Sequence, residues 1–205
     1  MDFPQVVALY SDRPQRGKTT LADMLVADLG YSRVKFAGPL KTTLGALLVQ
    51  VHPGDMHPGE WVRECLEGSL KEAPIQALGD KTPRELMQTL GTRWGREMVS
   101  DSIWVDLALN RVHSILERGD GRVVIDDMRF PNEYLALAGA FEPCMTRVSL
   151  TGDNNLAGPD AIAEGLLSDC EFDLEIVADK GDVLGAKKRF LNGLMEYQKD
   201  ASGPL

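Results

Sequence analysis

The segment QVVALYSDRPQRGKTT occupies residues 5–20 of the 205-residue chain. Its first part, residues 5–10, is apolar and β-branched at its centre, which predicts a buried strand. Across residues 18–29 apolar side chains recur at helical spacing, and Gly30 is suited to end that helix. A polar, kinked loop at residues 11–17 joins the two. Strand, loop and helix in this order predict the start of an α/β unit.

Four further strands are predicted downstream, together with a last helix. The strand candidates are short and hydrophobic with helical segments between them, which indicates a parallel sheet covered on both faces. The predicted strands cover residues 33–37, 122–126, 145–150 and 174–178, and the last helix covers about residues 182–197. The sequence thus predicts an α/β fold with a five-stranded parallel sheet flanked by helices.

The interval 41–118 breaks this rhythm of strands and helices. One predicted helix begins with Thr82 as N-cap and Pro83 in the first helical position, and Gly91 with Thr92 is expected to end it. Another covers about residues 103–117. We therefore expect a single domain, 1–205, with a core at 1–40 and 119–205, a helical insertion at about 41–118 and a smaller excursion at about 151–172.

The run from Gly17 to Thr20, GKTT, follows a strand and opens a helix, as a phosphate-binding loop requires. Amide groups at a helix N-terminus attract anions, Lys18 would reach the β- and γ-phosphates, and the Thr19 hydroxyl would bind Mg²⁺. Asp12 stands where the usual loop pattern has its first glycine. The alternative is a solvated strand-to-helix turn that contains these residues by chance.

Composition narrows the class of protein. The formal net charge is −9, which opposes binding of duplex nucleic acid, because affinity there comes largely from neutralised phosphates. The three cysteines are odd in number and form no CxxC pair, as expected in a reducing cytoplasm. The N-terminus does not resemble a signal peptide, and no apolar run approaches the roughly 18 residues that span a bilayer. We expect a cytoplasmic protein with no membrane partner.

The segment KTPRELMQTLGTRWGR, residues 81–96, carries polar groups suited to a nucleotide. Arg84 and Gln88 lie four residues apart and share a helix face. Arg93, Trp94 and Arg96 follow. Arginine, glutamine, threonine and an aromatic ring together suit a phosphate, a base edge and a base face. The alternative is a solvated helix face with one buried tryptophan.

The segment VVIDDMRFPNE, residues 123–133, places Asp126 and Asp127 at the C-terminal end of a buried strand. In open α/β sheets ligands bind at that edge, where a carboxylate can support Mg²⁺ or orient an attacking group. Arg129 follows closely and could neutralise phosphate charge. The alternative is that Asp127 caps the next helix and pairs with Arg129.

With these segments in place, the sequence resembles the deoxynucleoside monophosphate (dNMP) kinases of tailed bacteriophages. The matching segments are GKTTLADML at 17–25, FAGPLK at 36–41, TPRELMQTLGTRWGR at 82–96, SDSIWVDLAL at 100–109 and VVIDDMRFPNE at 123–133, with a looser echo at 168–179. The resemblance implies transfer of the γ-phosphoryl of ATP to a dNMP with Mg²⁺. It also implies a P-loop NTPase fold whose insertion binds the monophosphate and whose segment 151–172 is a lid.

The resemblance assigns roles to individual positions. The phosphate loop, to which Arg16 adds positive charge, would bind ATP through Arg16, Gly17, Lys18, Thr19 and Thr20. The substrate-binding stretch would be Arg84, Gln88, Gly91, Thr92 and Trp104, and the strand-end motif Asp127, Arg129 and Glu133. Expected catalytic residues are Lys18, Arg129, Asp127 and Arg84, and expected Mg²⁺ ligands are Thr19 and Asp127. A homodimer in the host bacterial cytoplasm also follows by analogy.

Two other functions stay open. A kinase of another small phosphoryl acceptor, such as dephospho-coenzyme A, would share the loop and sheet. A regulator that binds nucleotide without catalysis is favoured by Asp12 and by the predicted lid, which contains no Arg or Lys. Kinases need positive charge on the transferring phosphoryl, so in this chain it would come from arginines elsewhere.

Overall fold

The computed structural model of the protein describes residues 3–13, 16–119, 121–152, 166–167, 169–178 and 182–201. The chain forms two compact units. One, called here the sheet unit, comprises Met1–Lys35 and Leu109–Leu205, and the other, the helical unit, comprises Phe36–Ala108. The single domain with a helical insertion at about residues 41–118, expected from the sequence, stays a prediction.

The sheet unit is built on five parallel strands, as the sequence predicts. Their spatial order is β2-β3-β1-β4-β5. The strands are β1 Val6–Ser11, β2 Ser32–Val34, β3 Val123–Ile125, β4 Met145–Thr151 and β5 Leu174–Val177. The central strand, β1, is buried along its whole length and pairs with β3 and β4, so that Val6 lies opposite both Val123 and Met145. Strands β2 and β3 are shorter than predicted because only three residues of each pair with the other.

The remaining regular structure of the described residues consists of α-helices, short 3₁₀ turns and a π-helical segment. The α-helices are α1 Lys18–Leu29, α2 Gly38–Gln50, α3 Pro58–Leu66, α4 Pro83–Gln88, α5 Ile103–Leu116, α6 Pro131–Phe141 and α7 Val183–Ala201. Short 3₁₀ turns are Ser69–Glu72, Gln76–Leu78 and Glu142–Cys144, and a wide π-helical segment covers Thr89–Val99.

The core of the sheet unit explains why α1 forms where it does. Leu21 and Leu25 are buried on one face of α1 and belong to the same hydrophobic cluster as Val7 and Leu9 of β1. Gly30 then ends the helix as predicted, since it takes a left-handed conformation and its N–H bonds the Leu25 carbonyl. The phosphate-loop segment is therefore held between a buried strand and a packed helix.

A hydrogen-bonded clasp joins β4, the start of β5 and two helices. Arg147 donates to both carboxylate oxygens of Asp173, each at 2.9 Å, and to the hydroxyl of Tyr134 on α6 at 2.9 Å. The Tyr197 hydroxyl of α7 donates to the same carboxylate at 3.1 Å. Paired donors on one carboxylate fix orientation as well as charge, so this cluster ties the β5 edge to the sheet.

The helical unit has its own core, which includes Leu44 and Leu48 of α2 and Trp61 and Cys65 of α3. Helix α4 begins as predicted: the Thr82 hydroxyl accepts from the Glu85 N–H at 3.2 Å, and the Glu85 carboxylate accepts from the Thr82 N–H at 2.9 Å. This reciprocal cap satisfies two amide groups that the first helical turn cannot.

The predicted end of this helix at Gly91 and Thr92 is wrong. The chain continues without a break into the π-helical segment and leaves helical geometry only at Ser100. The two glycines of this segment, Gly91 and Gly95, allow close packing and do not end the helix. A β-carbon on Gly91 would lie 3.1 Å from the Leu40 side chain, and one on Gly95 would lie 2.7 Å from the Trp104 ring.

The predicted lid, residues 151–172, lies largely outside the described residues. Of that segment the structure describes residues 151–152, 166–167 and 169–172. Within the described part of the chain, no helix combines the length and apolar character needed to cross a bilayer.

Candidate functional site

Gly17 opens the phosphate-loop helix in a conformation that favours glycine. It is the N-cap of α1 at φ 88° and ψ 7°, in the left-handed region where a β-carbon is unfavourable. Its carbonyl accepts from the Leu21 N–H at 3.0 Å, and among the described residues no side chain caps the helix. The amide groups of the first turn are thus arranged to meet an anion at the carboxyl end of β1.

Lys18 folds back over the end of β1. Its ammonium donates to the Ser11 hydroxyl at 2.6 Å, and that hydroxyl donates to the Arg13 carbonyl at 2.7 Å. Ser11 is fully buried, so the ammonium is anchored at the base of the loop. A cation in this position lies beside the helix N-terminus and reinforces its attraction for phosphate.

The structure shows how the loop accommodates Asp12 in place of glycine. The Asp12 carboxylate lies 3.5 Å from Nε of Arg16 and 3.6 Å from Nε of Arg13. The Arg16 side chain is only 2% exposed, and its Nε and Nη1 have no hydrogen-bond acceptor among the described residues. A β-carbon on Gly152 would lie 3.0 Å from Nη1, so glycine there makes room for the guanidinium. The acid is therefore neutralised within the loop.

A second charged cluster lies at the carboxyl end of β3, next to β1. The Asp126 side chain is 1% exposed, with Nε of Arg33 at 3.7 Å from one carboxylate oxygen and Nζ of Lys35 at 3.8 Å from the other. Neither oxygen has a hydrogen-bond donor among the described residues. A buried carboxylate is costly unless it is paired, and here two cations face it without occupying its lone pairs.

Arg33 links this cluster to the phosphate-loop helix. Its Nη2 donates to the Asp23 carboxylate at 2.7 Å and to the Thr19 carbonyl at 3.4 Å. Asp126 and the first turn of α1 are therefore both within reach of one guanidinium. Arg33 and Lys35 are not among the site residues predicted from the sequence. Their alternation along a predicted strand is a signal that could have identified them as one face.

The strand-end motif after β3 divides into two parts. Asp127 and Arg129 are half-buried directly beyond the strand. Glu133 is buried on α6, and its carboxylate accepts from the N–H groups of Arg129 at 2.7 Å and Phe130 at 3.0 Å. Glu133 thus caps the start of α6, and the roles predicted for Asp127 stay predictions.

In the helical unit, the predicted substrate residues Arg84 and Gln88 are both exposed, one turn apart on α4. The Arg84 guanidinium forms an ion pair with Glu72. Thr92 is exposed and Gly91 is buried within the π-helical segment. These side chains belong to a different compact unit from Lys18 and Arg129.

Trp104 stays a predicted substrate-binding residue, and the structure shows its contacts within the helical unit. It is 6% exposed, and its indole N–H donates to the Gly91 carbonyl at 2.8 Å. Its ring also lies against Gly95. The structure thus uses Trp104 to hold the π-helical segment. The neighbouring Trp94 is 43% exposed.

Comparisons with known proteins bear on the fold. No protein-family model matches the chain, and no curated protein matches its sequence. A gluconokinase from Sinorhizobium meliloti 1021 has a similar structure, with a TM-score of 0.50 and 14% identity over 98% of this chain and 97% of that one. A dephospho-CoA kinase from Campylobacter jejuni gives a TM-score of 0.45 and 12% identity over 96% and 98% of the two chains. Together with the strand order and the loop at β1, the similarity shows that this chain has the parallel α/β fold of P-loop kinases.

Proposed function

We propose that the protein is a kinase that transfers the γ-phosphoryl group of ATP to a deoxynucleoside monophosphate, giving ADP and the diphosphate. The observation that carries the proposal is the loop at the end of β1, where Gly17 opens α1 and Lys18 folds over the strand end. The choice of acceptor rests on the sequence resemblance. Cytoplasmic location, a homodimer and the absence of a nucleic-acid partner remain predictions.

The phosphate loop would bind the donor. Phosphoryl transfer passes through a loose transition state, so positioning and cancellation of charge provide most of the catalysis. The α1 amide groups would hold the β- and γ-phosphates, and Lys18 would exchange the Ser11 hydroxyl for a phosphate oxygen. Arg16 would add positive charge to the phosphate site from a buried position.

The residues present fit a magnesium ion, which takes few protein ligands and oxygen donors only. Thr19 offers an exposed hydroxyl on the first turn of α1, and Asp126 offers a buried carboxylate whose oxygens accept no hydrogen bond among the described residues. Asp127 remains the candidate taken from the sequence. When bound, the ion would neutralise phosphate charge.

The acceptor phosphate would be held by arginines. Arg84 is the candidate for this role in the helical unit, where it would exchange its partner Glu72 for the phosphate. Arg129, in the sheet unit just beyond β3, stays a catalytic candidate taken from the sequence. Gln88 and Thr92, both exposed, would contact sugar or base. A phosphate monoester is already anionic at neutral pH, so the reaction needs no general base. The transferred group passes from the β-γ bridging oxygen of ATP to an acceptor oxygen, and ADP leaves.

A kinase of a hydroxyl-bearing acceptor is the second candidate, and Asp126 favours it. A hydroxyl must lose a proton as it attacks, and a buried carboxylate with unfilled lone pairs at a strand end can accept one. A sugar acid is an acceptor of this kind, as the name of the similar gluconokinase indicates. Dephospho-coenzyme A, the other acceptor that the sequence leaves open, also offers a hydroxyl.

The deciding experiment supplies Mg²⁺-ATP with each of dAMP, dCMP, dGMP and dTMP, and in parallel with gluconate and dephospho-coenzyme A. Matched formation of ADP and a dNDP supports the proposal. Transfer only to a hydroxyl acceptor supports the second candidate. Tight ATP binding with no transfer to any acceptor supports a non-catalytic nucleotide-binding regulator.

Lys18→Ala tests the loop itself. We expect turnover to fall on the order of 10³-fold, because one charge that stabilises the transition state is lost. Lys188→Ala, an exposed lysine on α7 of the same unit, is the matched control and should keep full activity. Near-normal turnover by the Lys18 variant would exclude the assigned role of the loop.

A further inference from the structure

One guanidinium in the sheet unit joins the phosphate-loop helix to the carboxyl end of β3. Nη2 of Arg33 donates to the Asp23 carboxylate at 2.7 Å and to the Thr19 carbonyl at 3.4 Å, both on α1. Nε of the same side chain lies 3.7 Å from the Asp126 carboxylate. Thr19 and Asp126 are also the two residues that fit a magnesium ion. A single side chain on β2 therefore contacts both candidate ion ligands.

The ion pairs around Asp126 leave its carboxylate open to a ligand. Nζ of Lys35 faces the second carboxylate oxygen at 3.8 Å, which like the 3.7 Å to Arg33 is beyond hydrogen-bond distance. Both oxygens, and Nε of Arg33, are buried without a hydrogen-bond partner among the described residues. A buried carboxylate is normally hydrogen-bonded to the groups that compensate its charge. Here the charge is compensated while the lone pairs stay available, which suits a hard cation with oxygen ligands.

The two cations that face Asp126 differ in what else they contact. Among the described residues, the ion pair with Asp126 is the one polar contact of Lys35. Arg33 is anchored on its other side by Asp23, one helical turn beyond Thr19. A guanidinium is planar and directs its donors along fixed lines, so a contact on one side determines where the other side points. Both cations supply the same charge, but Arg33 also connects the strand end to α1.

We propose that Arg33 is a positioning residue of the ATP site, which sets the Asp126 carboxylate relative to Thr19 so that both can bind one divalent cation. This inference rests on the proposed function and extends it. Removal of a group that orients metal ligands typically weakens metal binding. If Arg33 supplied charge alone, its removal would have the opposite effect, because a cation 3.7 Å from the carboxylate competes with the metal. The sign of the change thus separates the two roles.

The test is the affinity of Mn²⁺ for the complex of the full chain with ADP, measured from the electron paramagnetic resonance signal of free Mn²⁺. Mn²⁺ takes the same octahedral oxygen coordination as Mg²⁺. We expect Arg33→Met to weaken Mn²⁺ binding to this complex by about 10- to 100-fold. Binding of ADP without metal, measured by calorimetry in EDTA, should stay unchanged.

Three further variants make the result specific. Arg33→Lys keeps the charge without the planar fork, so its Mn²⁺ affinity should stay low. Lys35→Met removes an equal charge without a link to α1, so its Mn²⁺ affinity should not fall. The matched control is Arg189→Met, because Nη2 of Arg189 also donates to a carbonyl and a carboxylate, of Val177 at 2.7 Å and Asp182 at 3.0 Å. It should leave the binding of Mn²⁺ and of ADP unchanged.

Several results would overturn the positioning role. Unchanged or tighter Mn²⁺ binding by Arg33→Met would do so, as would full Mn²⁺ affinity in Arg33→Lys. An equal loss of ADP binding with and without metal would show that Arg33 supports the loop as a whole and not the ion ligands. Circular dichroism and the melting temperature establish folding, and if Arg33→Met does not fold, Arg33→Lys decides.

The proposed function is assayed separately, by the formation of dNDP. Wild-type protein that phosphorylates dNMPs while Arg33→Met keeps its Mn²⁺ affinity would exclude the positioning role and leave the proposed function standing. If wild-type protein binds neither ADP nor Mn²⁺, both fail.

Discussion

At the residue scale, the loop between β1 and α1 departs from the usual glycine pattern and compensates for it locally. Asp12 brings a negative charge to the proposed phosphate site, and Nε of Arg13 and Nε of Arg16 lie 3.6 Å and 3.5 Å from its carboxylate. Gly17, which sets the direction of the α1 amide groups, is retained. The backbone conformation that we propose binds an anion therefore depends on one glycine, whereas the charge of the loop depends on side chains.

Gly17→Ala tests that dependence on backbone conformation. An alanine in the left-handed region costs roughly 1–2 kcal/mol, and relief of this strain should also tilt the α1 amide groups away from the phosphates. We expect lower free energy of unfolding in urea and weaker ATP binding.

Gly54→Ala is the matched control for Gly17→Ala. Gly54 also has a positive φ, 92°, and an open environment, but it lies in the helical unit. Its variant should lose a similar free energy of unfolding while its affinity for ATP stays unchanged. Unchanged ATP affinity in the Gly17 variant would contradict the role of the loop.

At the element scale, the helix from Pro83 to Val99 shows both the success and the failure of sequence reasoning. Its start was predictable because Thr82, Pro83 and Glu85 form a local pattern that needs no knowledge of the fold. Its continuation past Gly91 was not, because the reason for that glycine is contact with residues distant in sequence. Glycine ends many helices, and only tertiary structure distinguishes a terminator from a packing site.

Gly95→Ala measures the packing explanation. A β-carbon there would lie 2.7 Å from the Trp104 ring, so the ring or the helix must move, and overpacking typically costs about 1–3 kcal/mol. Thermal and urea unfolding would report the loss.

Gly139→Ala on α6 is the control, since nothing lies within 4 Å of its added carbon. It should stabilise the protein by up to about 1 kcal/mol through helix propensity alone. If both alanines stabilise the protein, the contact between Gly95 and Trp104 is not tight in solution.

At the scale of the whole molecule, the parallel sheet was predictable in strand number and class, because most of its strands are short runs rich in apolar residues that lie between helical segments. The cluster of Asp126, Arg33 and Lys35 was not, since it depends on β2 pairing with β3 across about ninety residues of chain. Sequence spacing identified the phosphate loop, which is local. It could not identify charges that meet only when strands align.

The Arg147–Asp173 clasp predicts how the sheet unit responds to acid. Burial raises the pKa of the Asp173 carboxyl, but hydrogen bonds from Arg147 outweigh burial and hold that pKa below its ordinary value. The carboxylate therefore contributes stability above the pKa of about 4 that it has in the unfolded chain, and this contribution is lost as pH falls through the folded pKa.

We expect the free energy of unfolding to fall as pH is lowered below about 4, and Arg147→Met to reduce that pH dependence while lowering stability at neutral pH. Urea unfolding at a series of pH values measures both. Arg63→Met breaks ion pairs of a side chain that is 66% exposed. It should change the stability at neutral pH by no more than about 1 kcal/mol and leave the pH dependence of unfolding as in the wild type. An unchanged pH profile in the Arg147 variant would show that the clasp does not govern acid stability.

The partnership of Asp12 and Arg16 also constrains how such a loop can arise by mutation. The Asp12 side chain is 41% exposed and could be tolerated alone, whereas the Arg16 side chain is 2% exposed and needs a nearby negative charge. Of the two single replacements, loss of Asp12 would thus be the more costly, because it leaves a buried guanidinium without its partner. If both residues were replaced one at a time, Arg16 would have to change before Asp12, because a glycine at position 12 would leave the buried arginine without a negative charge nearby.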